Sequence, residues 1–278
     1  MRVARSLWVP RIRTGSLPAL RIKLLGGFSV SVGSRTIQQD EWRLRKAAAL
    51  VKLLALSPNH RLRREQVMDA LWPGLGKRTA SNNLRGVLHT ARKVLDPTAG
   101  SLYLASQDES LVLCPGGNLW VDAEVFEQAA STARRSRDPA TYEAALDLYA
   151  EELLPGDRYE EWAEEPRRRL QETYLSLLLG LADLHEERGD YEPAVGWLRR
   201  VLSEEPAREE AHMGLMRLYA LRDSKAEALA QYEQLEEALS RELSTTSREV
   251  LDVACERSWL VQSPGGYFGR QKSQALGG

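Results

Sequence analysis

The chain has 278 residues, 43% of them apolar and 28% charged, which suits a soluble globular protein of two modest domains. No stretch approaches the ~20 apolar residues of a membrane span, and Cys114 and Cys255 lie far apart outside any CxxC pattern, which excludes a disulfide framework and a zinc site. The net charge of −1 hides an asymmetry: residues 1–96 hold 19 Lys+Arg against five acids, and the remaining 182 hold 19 against 34. A basic front is joined to an acidic back, and both cysteines read as reduced thiols of a cytoplasmic protein.

Residues 1–19 are basic, carry Pro10, Gly15 and Pro18, and show no sustained period. They read as a disordered leader, with a phosphate-contacting arm as the alternative. From Leu20 to Leu24 the pattern alternates, Gly26-Gly27 turns the chain, and Phe28 to Val32 follows, predicting two short strands with a third at Thr36-Ile37. Residues 43–56 change to helical spacing, with Leu44, Ala47, Ala48, Val51, Leu54 and Ala55 on one face, and Ser57-Pro58-Asn59 ends the helix. Arg64 to Trp72 predicts a short second helix with Val67, Ala70 and Leu71 inward, stopped by Pro73-Gly74.

The third helix, Arg78 to Leu95, carries the functional reading. At ~100° per residue, Leu88, Ala91 and Leu95 fall within ~40° of Leu84, and Val87 and Val94 widen that stripe. Arg78, Asn82, Arg85, His89 and Arg92 share another face, between ~80° and ~160°, and no acid stands between Lys77 and Lys93. A helix filling the DNA major groove needs this division, its apolar side toward the domain and its Arg/Asn side toward base edges and phosphates. A second basic group, Arg61, Arg63 and Arg64, precedes the second helix, where backbone N–H groups and guanidiniums can hold phosphates. Leu102 to Ala105 and Leu111 to Leu113 flank a polar tip and predict a hairpin wing. The order of elements reads as a winged helix of the response-regulator output type over residues 20–115. Its candidate DNA-binding residues are Arg61, Arg63, Arg64, Lys77, Arg78, Asn82, Arg85, His89, Arg92 and Lys93.

Beyond Asp122 the strand signals vanish, and residues 120–260 read as an all-α, tetratricopeptide-like repeat domain. A 34-residue step carries Ala194 to Ala228, Leu198 to Tyr232, Leu181 to Leu215 and His185 to Tyr219. Stacked helix pairs of this kind form binding surfaces for macromolecules. The acid-rich stretch from Glu151 to Glu165 reads as a solvated helix with Tyr159 and Trp162 buried, or as a partner surface. Residues 261–278 read as a disordered tail. Four scattered histidines, with no H-E-x-x-H and no G-x-S-x-G, argue against an enzyme, and no metal or cofactor is expected. The competing function is a repeat scaffold whose winged helix no longer binds specific DNA.

Several fragments in order complete the sequence reading: Leu24-Leu25-Gly26-Gly27-Phe28, Leu71-Trp72-Pro73, Asn83-Leu84-Arg85, Leu153-Leu154-Pro155-Gly156-Asp157 with Glu161-Trp162, Arg188-Gly189-Asp190-Tyr191, and Ala228-Leu229-Ala230-Gln231-Tyr232. With them the chain resembles the Streptomyces antibiotic regulatory protein (SARP) family, or bacterial transcriptional activator domain family, over about residues 20–256. The resemblance implies a cytoplasmic activator that binds direct repeats in double-stranded DNA upstream of biosynthetic genes, antibiotic clusters among them, and recruits RNA polymerase. It implies a loop from Gly74 to Thr79 facing the polymerase, major-groove reading by Asn82, Arg85, His89 and Arg92, and a homodimer on DNA with half-sites in helical phase. The acids at Asp108 and Glu109 depart from a minor-groove wing and place more of the recognition on the third helix. Leu239 to Thr246 lacks the Gly and Pro of the family pattern, and no G-x-x-x-x-G-K-[ST] motif is present.

Overall fold

The computed structural model describes residues 19–97 and 102–242. The expected leader up to residue 18, Cys255 and the expected tail from 261 lie outside the described residues. Two compact units divide the chain: Met1–Ser136 with Glu143–Tyr174, and Arg137–Tyr142 with Leu175–Gly278.

The first unit opens on strands β1 (Leu20–Lys23), β2 (Ser29–Val32) and β3 (Arg35–Ile37). Alternation decides their faces: Leu20 and Ile22 point into the core while Arg21 and Lys23 face out. Helix α1 (Arg45–Ala55) follows, then β4 (Arg61–Arg63), α2 (Arg64–Leu71), α3 (Lys77–Leu95), and the wing strands β5 (Leu104–Gln107) and β6 (Ser110–Leu113). The expected winged helix is present, with two additions. Arg61–Arg63 is a strand, pairing antiparallel with β6 so that Leu62 faces Leu111. A further strand β7 (Leu119–Val121) runs parallel to β1, Leu20 opposite Leu119 and Ile22 opposite Val121, giving the sheet order β3-β2-β1-β7.

Helix α1 is buried on every side from Ala47 to Ala55, because α2, α3 and β6 all pack on it. Leu44, expected in its apolar stripe, is instead the residue before the helix and stays 44% exposed. In α2, Val67 and Leu71 are buried as expected, whereas Ala70 is half-buried and Met68 takes the inner position. Arg35 ties the sheet to the end of α3: its guanidinium donates to Val94 O at 3.1 Å and pairs with Glu41.

After β7 come α4 (Asp122–Ser136), α5 (Pro139–Leu146), a 3-10 turn at Pro155–Asp157, and the 27-residue α6 (Glu161–Glu187). The Asp122 carboxylate starts α4 and reaches back to the end of β1, accepting the N–H of Leu24 at 2.8 Å and of Leu25 at 3.0 Å, besides that of Ala123. Burial pushes this carboxyl above its usual range, outweighing the three donors. Phe126 packs tilted against Tyr149, which stacks on Tyr174, with ring centroids 5.1 and 4.6 Å apart. The segment from Glu151 to Glu160 corrects one expectation: it is not a continuous helix, Tyr159 is fully exposed, and Trp162 is half-buried, its indole N–H donating to Glu160 at 2.8 Å.

The second unit takes up α6 from Leu175, then α7 (Tyr191–Glu204), α8 (Glu209–Leu221) and α9 (Lys225–Glu242). The 34-residue step appears as matched packing: Leu181 and Leu215 are buried, and so are Ala194 and Ala228. Gly180 and Gly214 stand at the same step. A Cβ on the first would lie 2.9 Å from the Tyr142 ring, and on the second 2.9 Å from Leu198, so each marks a close helix contact. His212 is buried, its Nε2 donating to Pro206 O at 2.9 Å while Nδ1 accepts from Gln231. Among the described residues, no helix is long and apolar enough to cross a membrane.

Leaving two partly buried backbone donors without an acceptor costs about 1–3 kcal/mol each. Asp122→Ala is therefore expected to lower unfolding stability by at least about 2 kcal/mol, and Asp122→Asn, which keeps one acceptor oxygen, by less. A loss below about 0.5 kcal/mol for Asp122→Ala, the level of an ordinary surface change, counts against this role.

Candidate nucleic-acid interface

Helix α3 has the division its sequence predicts. Leu84, Val87, Leu88, Ala91, Val94 and Leu95 are buried, and Ala80 extends that face to the first turn. Arg78, Asn82, Arg85, His89 and Lys93 are exposed, and none of their side chains makes an ion pair or hydrogen bond with another described residue. A row of unpaired donors on a rigid helix keeps its hydrogen-bonding capacity for something outside the unit. Gly86 lies among them, and a Cβ there would meet nothing within 4 Å. A mid-helix glycine costs about 1 kcal/mol relative to alanine, and here no packing within the unit calls for it.

Arg92 departs from the row. Its Nε donates to Leu104 O at 2.8 Å and its Nη2 to Ser106 Oγ at 2.9 Å, so its guanidinium fastens β5 to α3. Lys77 is also engaged, 2.5 Å from Glu65, which raises its ammonium above the ordinary value; both groups are well exposed, so the pair adds little stability.

The second basic group is split by β4. Arg61 and Arg63 sit two apart on the strand and both face solvent, while Arg64 begins α2 and is half-buried. Arg61 and Arg63 line an open recess of about 400 Å³ that also takes in Asn59, Gln66 and Ser110, and Arg64 lies outside it. The backbone donors expected to serve phosphates here are partly taken: Arg63 N–H goes to Gln66 Oε1 at 2.9 Å and Arg64 N–H to Glu109 O at 2.8 Å. The guanidiniums are what the recess offers an anion. Asp108 at the wing tip lies 3.9 Å from Arg61, too long for a strong pair.

Residues 121–254 match the family model of the bacterial transcriptional activator domain. Regulatory protein AfsR of Streptomyces griseus is 28% identical over 255 residues, covering 87% of this chain and 25% of that protein. AfsR of Streptomyces coelicolor is 29% identical over 244 residues, covering 86% and 24%. Residues 121–254 thus carry a bacterial transcriptional activator domain, and over most of its length the chain is similar to SARP-type regulators. It spans about a quarter of the length of these two relatives. Among solved structures, Mycobacterium tuberculosis EmbR in complex with a low-affinity phosphopeptide superposes with a TM-score of 0.68 over 88% of this chain and 66% of that one. At 20% identity this is a likeness of fold, a β-containing winged-helix region followed by a mostly helical part. SARP-type regulators are transcription factors rather than enzymes.

Sequence reasoning missed two features of this candidate face. The pairing of β4 with the wing has no local signal, since Arg61-Leu62-Arg63 is too short to show alternation. The attachment of Arg92 leaves a trace only in its angle, ~80° from Leu84 and nearest of the row to the buried stripe. Removing its two charge-assisted bonds by Arg92→Ala is expected to cost about 1–3 kcal/mol and to speed amide hydrogen exchange in β5. Unchanged exchange in β5 would mean that the hairpin is held by its strand pairing alone.

Proposed function

We propose that this protein is a SARP-type regulator, a sequence-specific DNA-binding activator with α3 in the major groove. The observation that carries the reading is the exposed, unpaired row of Arg78, Asn82, Arg85, His89 and Lys93 on a helix whose opposite face is buried. Such a row offers bidentate donors to guanine and adenine edges. Arg61, Arg63 and Arg64 supply phosphate contacts beside it, setting register without reading sequence. Arg92 acts by holding the wing. Lys77 stands near the phosphates but shares its charge with Glu65.

The finer parts of the reading follow from the family. The protein binds as a homodimer to direct repeats spaced by about one helical turn or a multiple of it. It works in the cytoplasm, upstream of biosynthetic genes such as antibiotic clusters. Of the loop expected from Gly74 to Thr79 to face RNA polymerase, Lys77 to Thr79 form the first turn of α3, and the polymerase-facing part is the exposed stretch Gly74 to Gly76 with the 43%-exposed Leu75.

With the three phosphate contacts of Arg61, Arg63 and Arg64, the logarithm of affinity is expected to fall with the logarithm of salt at a slope of about −3 for each bound copy. Arg85→Ala is expected to cost about 1–3 kcal/mol at the selected operator and little on random DNA, as for a base contact, whereas Arg64→Ala weakens both alike. Fluorescence anisotropy on operators selected from random sequence measures all three. Equal losses on both DNAs for Arg85→Ala would make Arg85 a phosphate contact. A flat salt response would leave the helical half as a protein scaffold and remove DNA from the reading.

Gly86 separates fold from function. Gly86→Ala is expected to raise unfolding stability by about 1 kcal/mol while lowering operator affinity, because the added methyl group stands where the helix comes closest to the groove. Equal or better affinity in this variant would show that the glycine serves no close approach.

A further inference from the structure

Residues 151–160 connect α5 to α6, yet their contacts run back to the winged helix. Gly26 N–H donates to Glu152 O at 3.0 Å and Leu154 N–H donates to Leu24 O at 2.9 Å, so that Leu25 and Leu153 form a bridge. Gly26 has a φ of +75°, and a Cβ there would lie 3.3 Å from Glu151 Oε2. Both facts call for glycine at this turn. Leu153 and Leu154 are buried, and Leu154 is held at a φ of 48°, a conformation uncommon for any residue with a side chain. From the other side Arg167 of α6 donates to Leu153 O at 3.0 Å and to Asp157 O at 3.2 Å.

The charged contacts converge on α1. Lys52 sits in its last turn with a side chain only 10% exposed, and its ammonium lies 2.5 Å from Asp157, whose side chain is 16% exposed. The same ammonium stands 4.7 Å from the centre of the Phe28 ring. One turn and a half earlier on α1, Lys46 meets Glu160 at 3.2 Å. A buried ammonium without its carboxylate is strongly disfavoured, so Asp157 is the condition on which Lys52 can occupy a helix buried on every side. Nothing in a self-sufficient winged helix asks for that lysine.

We propose that residues 151–160 form a brace that sets the orientation of α1 and, through the packing of α1 on α3, of the DNA-reading face, with Lys52 and Asp157 as positioning residues. The brace lies inside the sequence matched as the activator domain, 121–254. Part of the activator domain is thereby a structural component of the DNA reader. The positioning of α3 rests on the DNA-binding reading above; the mechanical coupling of brace to α1 does not.

A double-mutant cycle on the full chain tests both. Lys52→Met and Asp157→Leu each leave one buried charge unpaired, and the double variant leaves none. In amide hydrogen exchange without DNA, each single variant is expected to speed exchange across α1 by about tenfold or more, with the double variant recovering most of the protection. Should a single variant fail to show native circular dichroism, Lys52→Gln or Asp157→Asn replaces it as the milder change that still leaves one charge unpaired. On DNA, the single variants are expected to lose about tenfold in operator affinity and much less on random DNA, again with recovery in the double variant. Lys52→Arg, which keeps the charge, should hold most of the operator affinity. Unchanged protection of α1 in the single variants, or effects that simply add in the double variant, overturns the brace. Loosened α1 with full operator affinity overturns the positioning role. If the wild-type chain selects no DNA sequence, it is the DNA-binding reading that fails, and the exchange cycle by itself decides the brace.

Discussion

Helix α1 has no free face, and most of the first unit is arranged around that fact. A short helix gains stability from burial far more than from its own hydrogen bonds. Here the residues from Ala47 to Ala55 are all withdrawn from water. Their small or aliphatic side chains let α2, α3 and β6 approach together, and the price of such complete burial is that a single cation on the helix must be answered by a specific partner. Lys52 is that cation, and Asp157 and the Phe28 ring answer it. The constraint then passes to α3, which has only α1 and its surroundings on which to bury Leu84, Leu88 and Leu95. Once that stripe is placed, the face carrying Arg78, Asn82, Arg85 and His89 is turned outward by geometry alone.

How much of this was legible in the sequence depends on the range of the interaction that decides each element. Helix α3 was readable almost to the residue, because a 3.6-residue period over 19 residues states both its extent and its faces. The wing hairpin was readable because its two strands are neighbours in sequence. Strands β4 and β7 were not, since each has three residues and is paired by chain that is distant in sequence, β7 with β1 at the other end of the winged helix. Leu44 looked like part of the α1 stripe because periodicity does not say where a helix starts. The exposed row likewise read as five equivalent donors plus neighbours; the angle of Arg92 on the helix hinted at a difference, and its bonds to Leu104 and Ser106 separate it from Arg85.

The segment around Tyr159 shows why composition misleads where a chain crosses between elements. An acidic stretch with two aromatics suggests an amphipathic helix with its rings inward. The stretch instead breaks at Pro155–Asp157, and its carboxylates are drawn to partners chosen by position: Glu160 to Lys46 and the Trp162 indole, Asp157 to Lys52. With those contacts made, Tyr159 is left outside. By contrast the 34-residue step in the second unit survives intact, because repeated helix crossings demand small residues at repeated places, and Gly180 and Gly214 meet that demand along with Ala194 and Ala228.

The acids of the wing tip bear on how such a protein would discriminate among sequences. Glu109 gives its carbonyl to the first turn of α2, and Asp108 stands near Arg61, so the tip supports the basic group from behind while adding negative charge beside it. Negative charge near phosphates weakens attachment to every DNA alike. The basic residues left for general attachment are few, since Lys77 is shared with Glu65 and Arg92 is committed to the hairpin. Under the proposed DNA-binding reading, such a protein would gain little from non-specific attraction and would draw its affinity from correct base contacts along α3. On the proposed reading, two copies on a repeated operator would matter more than for a protein with a strongly basic wing, because doubling the base contacts is the remaining way to raise affinity without raising it everywhere.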